Sequence, residues 1–183
     1  MTALRLLAHA LTPGLRGLVL GGEPAPDAAG LDAARELKVS ADHAYCGPEP
    51  AAVRTAEVLG LTPTVDAALR DRQYGDWSGR NLEELLAAEP DRVAAWLDRP
   101  HTAPPNGETE NDLITRVADW LGDLGQRHDE RSTVVAVVHP AVVRAAVLYV
   151  LEAPAESLRH VDVRPLAAVE LSLRAGNWSL AFH

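Results

Sequence analysis

The chain has 183 residues, with 26 acidic and 17 basic side chains and a net charge of −9. Hydrophobic residues make up 47% and charged residues 23%, a globular balance that excludes a disordered, collagenous or repeat protein. The acidic surplus argues against a nucleic-acid or anionic-membrane surface, and no apolar run approaches the roughly 18 residues of a membrane span.

The start, Met1 to Leu7, is too short and too quickly polar for a signal peptide. A cytoplasmic location is the expectation. Cys46 is the single cysteine, so no internal disulfide forms and a cysteine-based metal cluster is not expected. The Pro/Gly-rich stretches at 21–26 and 100–107 are short enough to be surface loops inside one domain spanning residues 1–183.

Leu4 to Ala8 reads as a first strand, stopped by a loop around Pro13-Gly14. Residues 27–37 are helical, with Leu31, Ala34 and Leu37 on one face. Ala44 to Cys46 is a short strand. Residues 51–59 form a helix closed by Gly60. Two short helices follow over 81–88 and 90–97, the second opened by Pro90. Residues 109–126 form a longer helix with Leu113, Val117, Trp120, Leu121 and Leu124 at helical spacing.

Thr133 to Val138 is almost continuously apolar and β-branched, the pattern of a strand covered on both faces in a parallel sheet. Pro140 then opens a helix over 141–151. Residues 167–173 and 178–182 read as two last strands around an Ala175-Gly176-Asn177 turn. Alternating strands and helices predict a three-layer α/β sandwich: a mostly parallel central sheet with helices on both faces. Segment 83–105 is expected to be a lid. Its Trp96 is an apolar anchor, and its Arg92, Arg99 and His101 are surface charges or contacts to an anionic substrate tail.

In such sheets the functional crevice lies beyond the carboxyl ends of the strands. His9 directly follows the first strand and His139 directly follows the most apolar one. If those strands are neighbours, both imidazoles face one crevice. A single such histidine would more simply cap a strand end; two on one rim point to a site. Neither stands in a metal-ligand spacing such as His-x-x-x-His, so no metal is expected.

Five blocks carry a resemblance. They are Leu6-Leu7-Ala8-His9-Ala10, Cys46-Gly47-Pro48 through Arg54-Thr55-Ala56-Glu57, Leu69 through Gly79 with its Gly75-Asp76-Trp77-Ser78-Gly79, Gly107-Glu108-Thr109, and Val137-Val138-His139-Pro140. In this order and spacing the chain resembles the histidine phosphatase superfamily, in its phosphoglycerate-mutase-like branch. The resemblance implies that His9 attacks phosphorus to form a phosphohistidine, that Asp71 (usually a Glu) protonates the leaving oxygen, and that His139 donates to the phosphoryl oxygens. A neutral imidazole is a good nucleophile near pH 7, and the covalent intermediate divides one hard displacement into two. This chemistry needs no cofactor.

The departures are specific. The family's arginine before the nucleophile is Ala8, the glycine after it is Ala10, and the second pocket arginine is Ala51. Charge-assisted hydrogen bonds contribute roughly 1.5–3 kcal/mol each. Losing two costs roughly 3–6 kcal/mol, on the order of 10²–10⁴ in rate. Arg16, seven residues after His9, and Arg54, one helical turn after Ala51, are placed to substitute; the alternative for each is a solvated surface arginine. Thr12 donates a hydroxyl hydrogen bond or shapes the turn before Pro13. Glu108 reads as a helix-start charge, Arg144 as a structural ion-pair partner and Cys46 as a buried hydrophobe.

Three functions stay open: a weak phosphomonoester hydrolase, a catalytically inactive relative acting as a binding module, and an acid–base enzyme using His9, His139 and Asp71 on a less charged substrate. A mutase is disfavoured, because it must hold a phosphorylated substrate through a second transfer and the charge for this is reduced. The expected partner is a small, phosphorylated molecule.

Overall fold

A computed structural model describes residues 2–22, 24–128 and 131–182; Glu23 of the predicted 21–26 loop lies outside them. The elements are β1 (Thr2–Ala8), α1 (Pro13–Arg16), α2 (Ala28–Arg35), β2 (His43–Cys46), α3 (Pro50–Val58), β3 (Thr64–Val65), α4 (Leu82–Ala88), α5 (Pro90–Asp98), α6 (Glu110–Arg127), β4 (Thr133–Val138), α7 (Pro140–Val150), β5 (Ala168–Arg174) and β6 (Asn177–Ala181).

The sheet order is β3-β2-β4-β1-β5-β6. β4 is buried at every position after Thr133, because β1 and β2 flank it in parallel and helices cover both faces. The sheet is mixed. β3, β2, β4 and β1 run parallel, while β5 and β6 are antiparallel to their neighbours. That arrangement bears out the α/β expectation and adds an antiparallel half, which a hairpin closed at Ala175-Gly176 makes locally possible.

Strand side chains alternate between faces. On one face Leu4, Leu6 and Ala8 of β1 join Val134, Ala136 and Val138 of β4 against α6 and α7. On the other, Leu7, Val137 and Cys46 pack on Ala52 and Ala56 of α3. Fully burying a leucine contributes about 1.5–3 kcal/mol, so this two-sided core anchors the strand ends that carry the histidines.

A third cluster, Trp77, Leu85, Val93 and Trp96, holds α4 and α5. Backbone bonds stitch this segment to the loop after β1: Leu20 N donates to Arg80 O at 3.0 Å and Leu82 N to Leu18 O at 3.0 Å. Two elements differ from the sequence expectation. The Pro13-Gly14 region is a short helix capped by Thr12, whose side chain accepts from Leu15 N. The two-residue β3 pairs with β2 at the sheet edge; two residues are too few for a periodic signal. Among the described residues no helix is long and apolar enough to cross a membrane.

Candidate active site

Ala8 and Val138 are register partners on neighbouring parallel strands, so the residues that follow them leave the sheet side by side. The His9 and His139 ring centroids lie 5.2 Å apart, tilted by 49°. His9 N donates to Val138 O at 2.9 Å. Its Nδ1 lies 2.7 Å from Ala10 O. A carbonyl only accepts, so Nδ1 carries the proton and Nε2 presents the lone pair. Ala10 N in turn donates to Thr55 Oγ1 at 3.0 Å, and Thr55 Oγ1 to Ala51 O at 2.7 Å. Thr55 of α3 therefore fixes the turn that holds the His9 tautomer.

His139 is the N-cap of α7, in extended backbone conformation. Its Nδ1 lies 2.7 Å from Asp71 Oδ1 and receives Ala141 N at 3.2 Å. Asp71 Oδ1 also accepts Arg72 N at 2.6 Å, and Asp71 N donates to Glu49 Oε1 at 2.8 Å. The imidazole thus meets the carboxylate within hydrogen-bond distance. Asp71 is thus placed both to orient His139 and to exchange a proton with it.

The loop carrying Asp71 is held from below. Arg116 of α6 clamps Glu108 at 2.9 and 2.8 Å and donates to the carbonyls of Ala68, Arg70 and Asp71. Gly75 has φ +51°, and a Cβ there would fall 2.0 Å from Pro105 O. Only glycine permits that approach, so the Gly75-Asp76-Trp77 turn lies flush on residues 105–107.

Two sequence readings need correction here. Glu108 precedes the helix it was read as charging; Thr109 and Asp112 form the capping box of α6, and Glu108 is a buried acceptor for Arg70, Arg116 and Gln73 N. Arg144 makes a backbone contact, Nε to Val161 O at 2.8 Å, in place of the expected ion pair.

His139 borders a cavity of about 410 Å³, which Arg144 and Arg164 also line among mostly aliphatic residues. Asp71 and Glu49 border a second cavity of about 500 Å³ with Arg70 and Arg72. His9 is 1% exposed and His139 8%. Arg16 is drawn to Asp27 at 3.0 Å with a side chain 57% exposed, and Arg54 to Glu57 at 2.6 Å on its own helix. Neither borders the two cavities. Ala8 and Ala51 are fully buried.

Glu49 is the site-bordering residue that the sequence reading passed over. Burial raises its pKa; the Asp71 carboxylate adds to this, while backbone hydrogen bonds and His139 work against it. In sequence it stands between two prolines and reads as loop. Its one available signal was its place two residues before Ala51, where the resemblance implies an arginine.

The chain matches the histidine phosphatase superfamily (branch 1) over residues 28–183. It belongs to that family. The matched region takes in Asp71 and His139 and begins after His9. A putative phosphoserine phosphatase 2 from Hydrogenobacter thermophilus is 27% identical over 155 residues, covering 81% of this chain and 75% of the relative. A glucosyl-3-phosphoglycerate phosphatase from Mycolicibacterium vanbaalenii is 31% identical over 117 residues, covering 58% of this chain and 50% of the relative. The chain spans a third to a half of the length of its mycobacterial relatives. Among solved structures, Bacillus stearothermophilus YhfR superposes with a TM-score of 0.88 at 24% identity, covering 99% and 96% of the two chains. This histidine phosphatase fold is phosphoglycerate-mutase-like.

Proposed function

We propose that the chain is a slow phosphomonoester hydrolase that passes the phosphoryl group through His9. The observation that carries this is the approach of the two rings to 5.2 Å with Asp71 Oδ1 on His139 Nδ1 at 2.7 Å. The Nε2 lone pair of His9 attacks phosphorus while the ester P–O bond breaks. The leaving oxygen takes a proton from the Asp71–His139 pair, and His139 Nε2–H supports a phosphoryl oxygen. Water then attacks phosphorus, its proton returns to the pair, the P–N bond breaks and inorganic phosphate leaves. No metal or cofactor enters this sequence.

The reaction is slow because phosphoryl transfer rests on positioning and charge stabilisation. Ala8 and Ala51 supply no charge, and Arg144 and Arg164 are the guanidinium groups that border the His139 cavity. Segment 83–105 is the lid in this reading, with Trp96 packed into the cluster that anchors it.

A second reading, a non-catalytic binding relative, is favoured by the near-complete burial of His9. Incubation with an aryl phosphate at pH 4–9, with acid-quench detection of phosphohistidine and His9→Ala as control, separates the two. Turnover above the control together with a label on His9 supports hydrolysis. No turnover and no label at any pH overturns it.

A further inference from the structure

The stretch after β1 is apolar without being core. Leu11, Leu15, Leu18 and Val19 follow closely on His9, and none of them joins the three core clusters. Leu11, Leu15 and Val19 are half-buried, and Leu18 is 53% exposed. With Leu82 of α4 and Val163 of the loop before β5 they line the 410 Å³ cavity that His139 borders. Exposed apolar side chains are ordinary when scattered singly; gathered on one wall they mark a binding site. The volume falls in the range of about 300–1,000 Å³ that small-molecule sites occupy.

The rim of this wall is held in place against a cost. Leu18 has φ +52°, the left-handed region that a leucine enters only with strain. Its carbonyl accepts Leu82 N at 3.0 Å, Val19 N donates to Gly14 O at 3.1 Å, and Asn81 Nδ2 donates to Gly17 O at 2.6 Å. These bonds fix the strained backbone and, with it, an apolar side chain at the cavity mouth. Strain kept in this way is a feature of ligand clamps.

Charge lies at the two ends of the cavity. His139, 8% exposed, is the inner end, and Arg144 stands on the helix that His139 caps. Arg164 and Asp162 form the outer rim, both largely exposed and 3.7 Å apart, so their charges offset one another. The aliphatic side chains between offer no partner to a hydroxyl, ammonium or carboxylate, and burying one of these there goes uncompensated. A phosphomonoester has one charged end and one alcohol end. We propose that this cavity takes the alcohol half of the substrate and selects an apolar one, which makes the substrate class the monophosphates of aliphatic alcohols. The assignment deepens the hydrolase reading and rests on it for the phosphoryl half, which lies at His139.

The test measures non-hydrolysable phosphonates by calorimetry on the full chain. Affinity is expected to rise about threefold per methylene from methyl- to hexylphosphonate, on the order of 10² in all. Propylphosphonate is expected to bind at least about tenfold more tightly than 2-aminoethylphosphonate, which has nearly its shape and an added charge. Leu18→Asn suits the left-handed backbone and Leu15→Gln suits a helix, and circular dichroism checks the fold of both. Each is expected to lower the hexyl-to-methyl ratio at least about threefold while methylphosphonate binding stays unchanged. No binding of any phosphonate, equal binding of methyl- and hexylphosphonate, or a ratio that neither variant changes overturns the assignment. So does self-association in sedimentation that Leu18→Asn abolishes without phosphonate selectivity, which would give this face to a second copy of the chain. Hydrolysis of hexyl phosphate and of O-phospho-L-serine is measured alongside. Chain-length selectivity without turnover of either ester upholds the apolar site and overturns only the hydrolase reading. Turnover of both esters with equal kcat/KM upholds hydrolysis and overturns the apolar site.

Discussion

Asp71 Oδ1 lies 2.7 Å from His139 Nδ1, so this carboxyl group touches the second histidine directly. The backbone N–H groups of Arg72 and Ala141 approach the same two atoms from either side. The pair works as a unit: what alters the carboxylate alters the imidazole.

Asp71→Asn removes the ionisable carboxyl group while keeping the shape. The expected result is a fall in kcat/KM on an aryl phosphate of about 10²–10⁴, the usual worth of positioned acid–base catalysis. The melting temperature should stay near that of the parent. A variant that keeps its kcat/KM would remove Asp71 from the chemistry.

Arg116→Ala tests the scaffold. Glu108 has a side chain only 6% exposed, and Arg116 is its closest cation while also serving three carbonyls of the Asp71 loop. Removing one partner of a buried pair costs about 3–5 kcal/mol. Urea unfolding should show a loss of this size, and turnover should fall as the loop loosens. An unchanged urea midpoint would contradict it.

Glu49 gives a pH dependence of stability. Burial raises its folded-state pKa above the ordinary 4.5. The folded state therefore binds this proton more tightly than the unfolded state. The resulting stabilisation is full below 4.5 and is lost as pH rises through the folded value. Glutamine does not titrate. Melting temperatures of Glu49→Gln and the parent, followed from about pH 4 to 7, should diverge in favour of the variant as pH rises. A flat difference would show that Glu49 does not carry the effect.

Burial, with Glu49 and Glu57 adding to it, pushes the Cys46 thiol up to about 11. The thiolate is the reactive form. Iodoacetamide at about pH 8 should leave the folded protein unlabelled and modify it once urea exposes the residue. Rapid labelling of the folded protein would place Cys46 in a reactive setting instead.

The histidine pair was readable because its information is local. An unbroken apolar run such as Thr133 to Val138 is tolerated only where both faces are covered, and the residue after such a strand must emerge at the sheet end. Asp71 was legible only through the family resemblance; nothing in its own loop separates it from an aspartate paired with the flanking Arg70 and Arg72. Arginine direction is different. Long, flexible side chains go to the carboxylate within reach, so Arg16 turned to Asp27 and Arg54 to Glu57. Arg116, one polar position on an amphipathic helix, gave no sign that three carbonyls of a distant loop would converge on it.

The sequence by itself determined the element order, the α/β class and the emergence of two histidines at strand ends, since these follow from hydrophobic period and chain connectivity. Tertiary structure alone decided that β1 and β4 are neighbours in register, that Asp71 meets His139 at 2.7 Å, and that carboxylates and guanidiniums line one cavity. Contacts between side chains far apart in the chain depend on how loops settle against a packed core. No local pattern of residues encodes that distance.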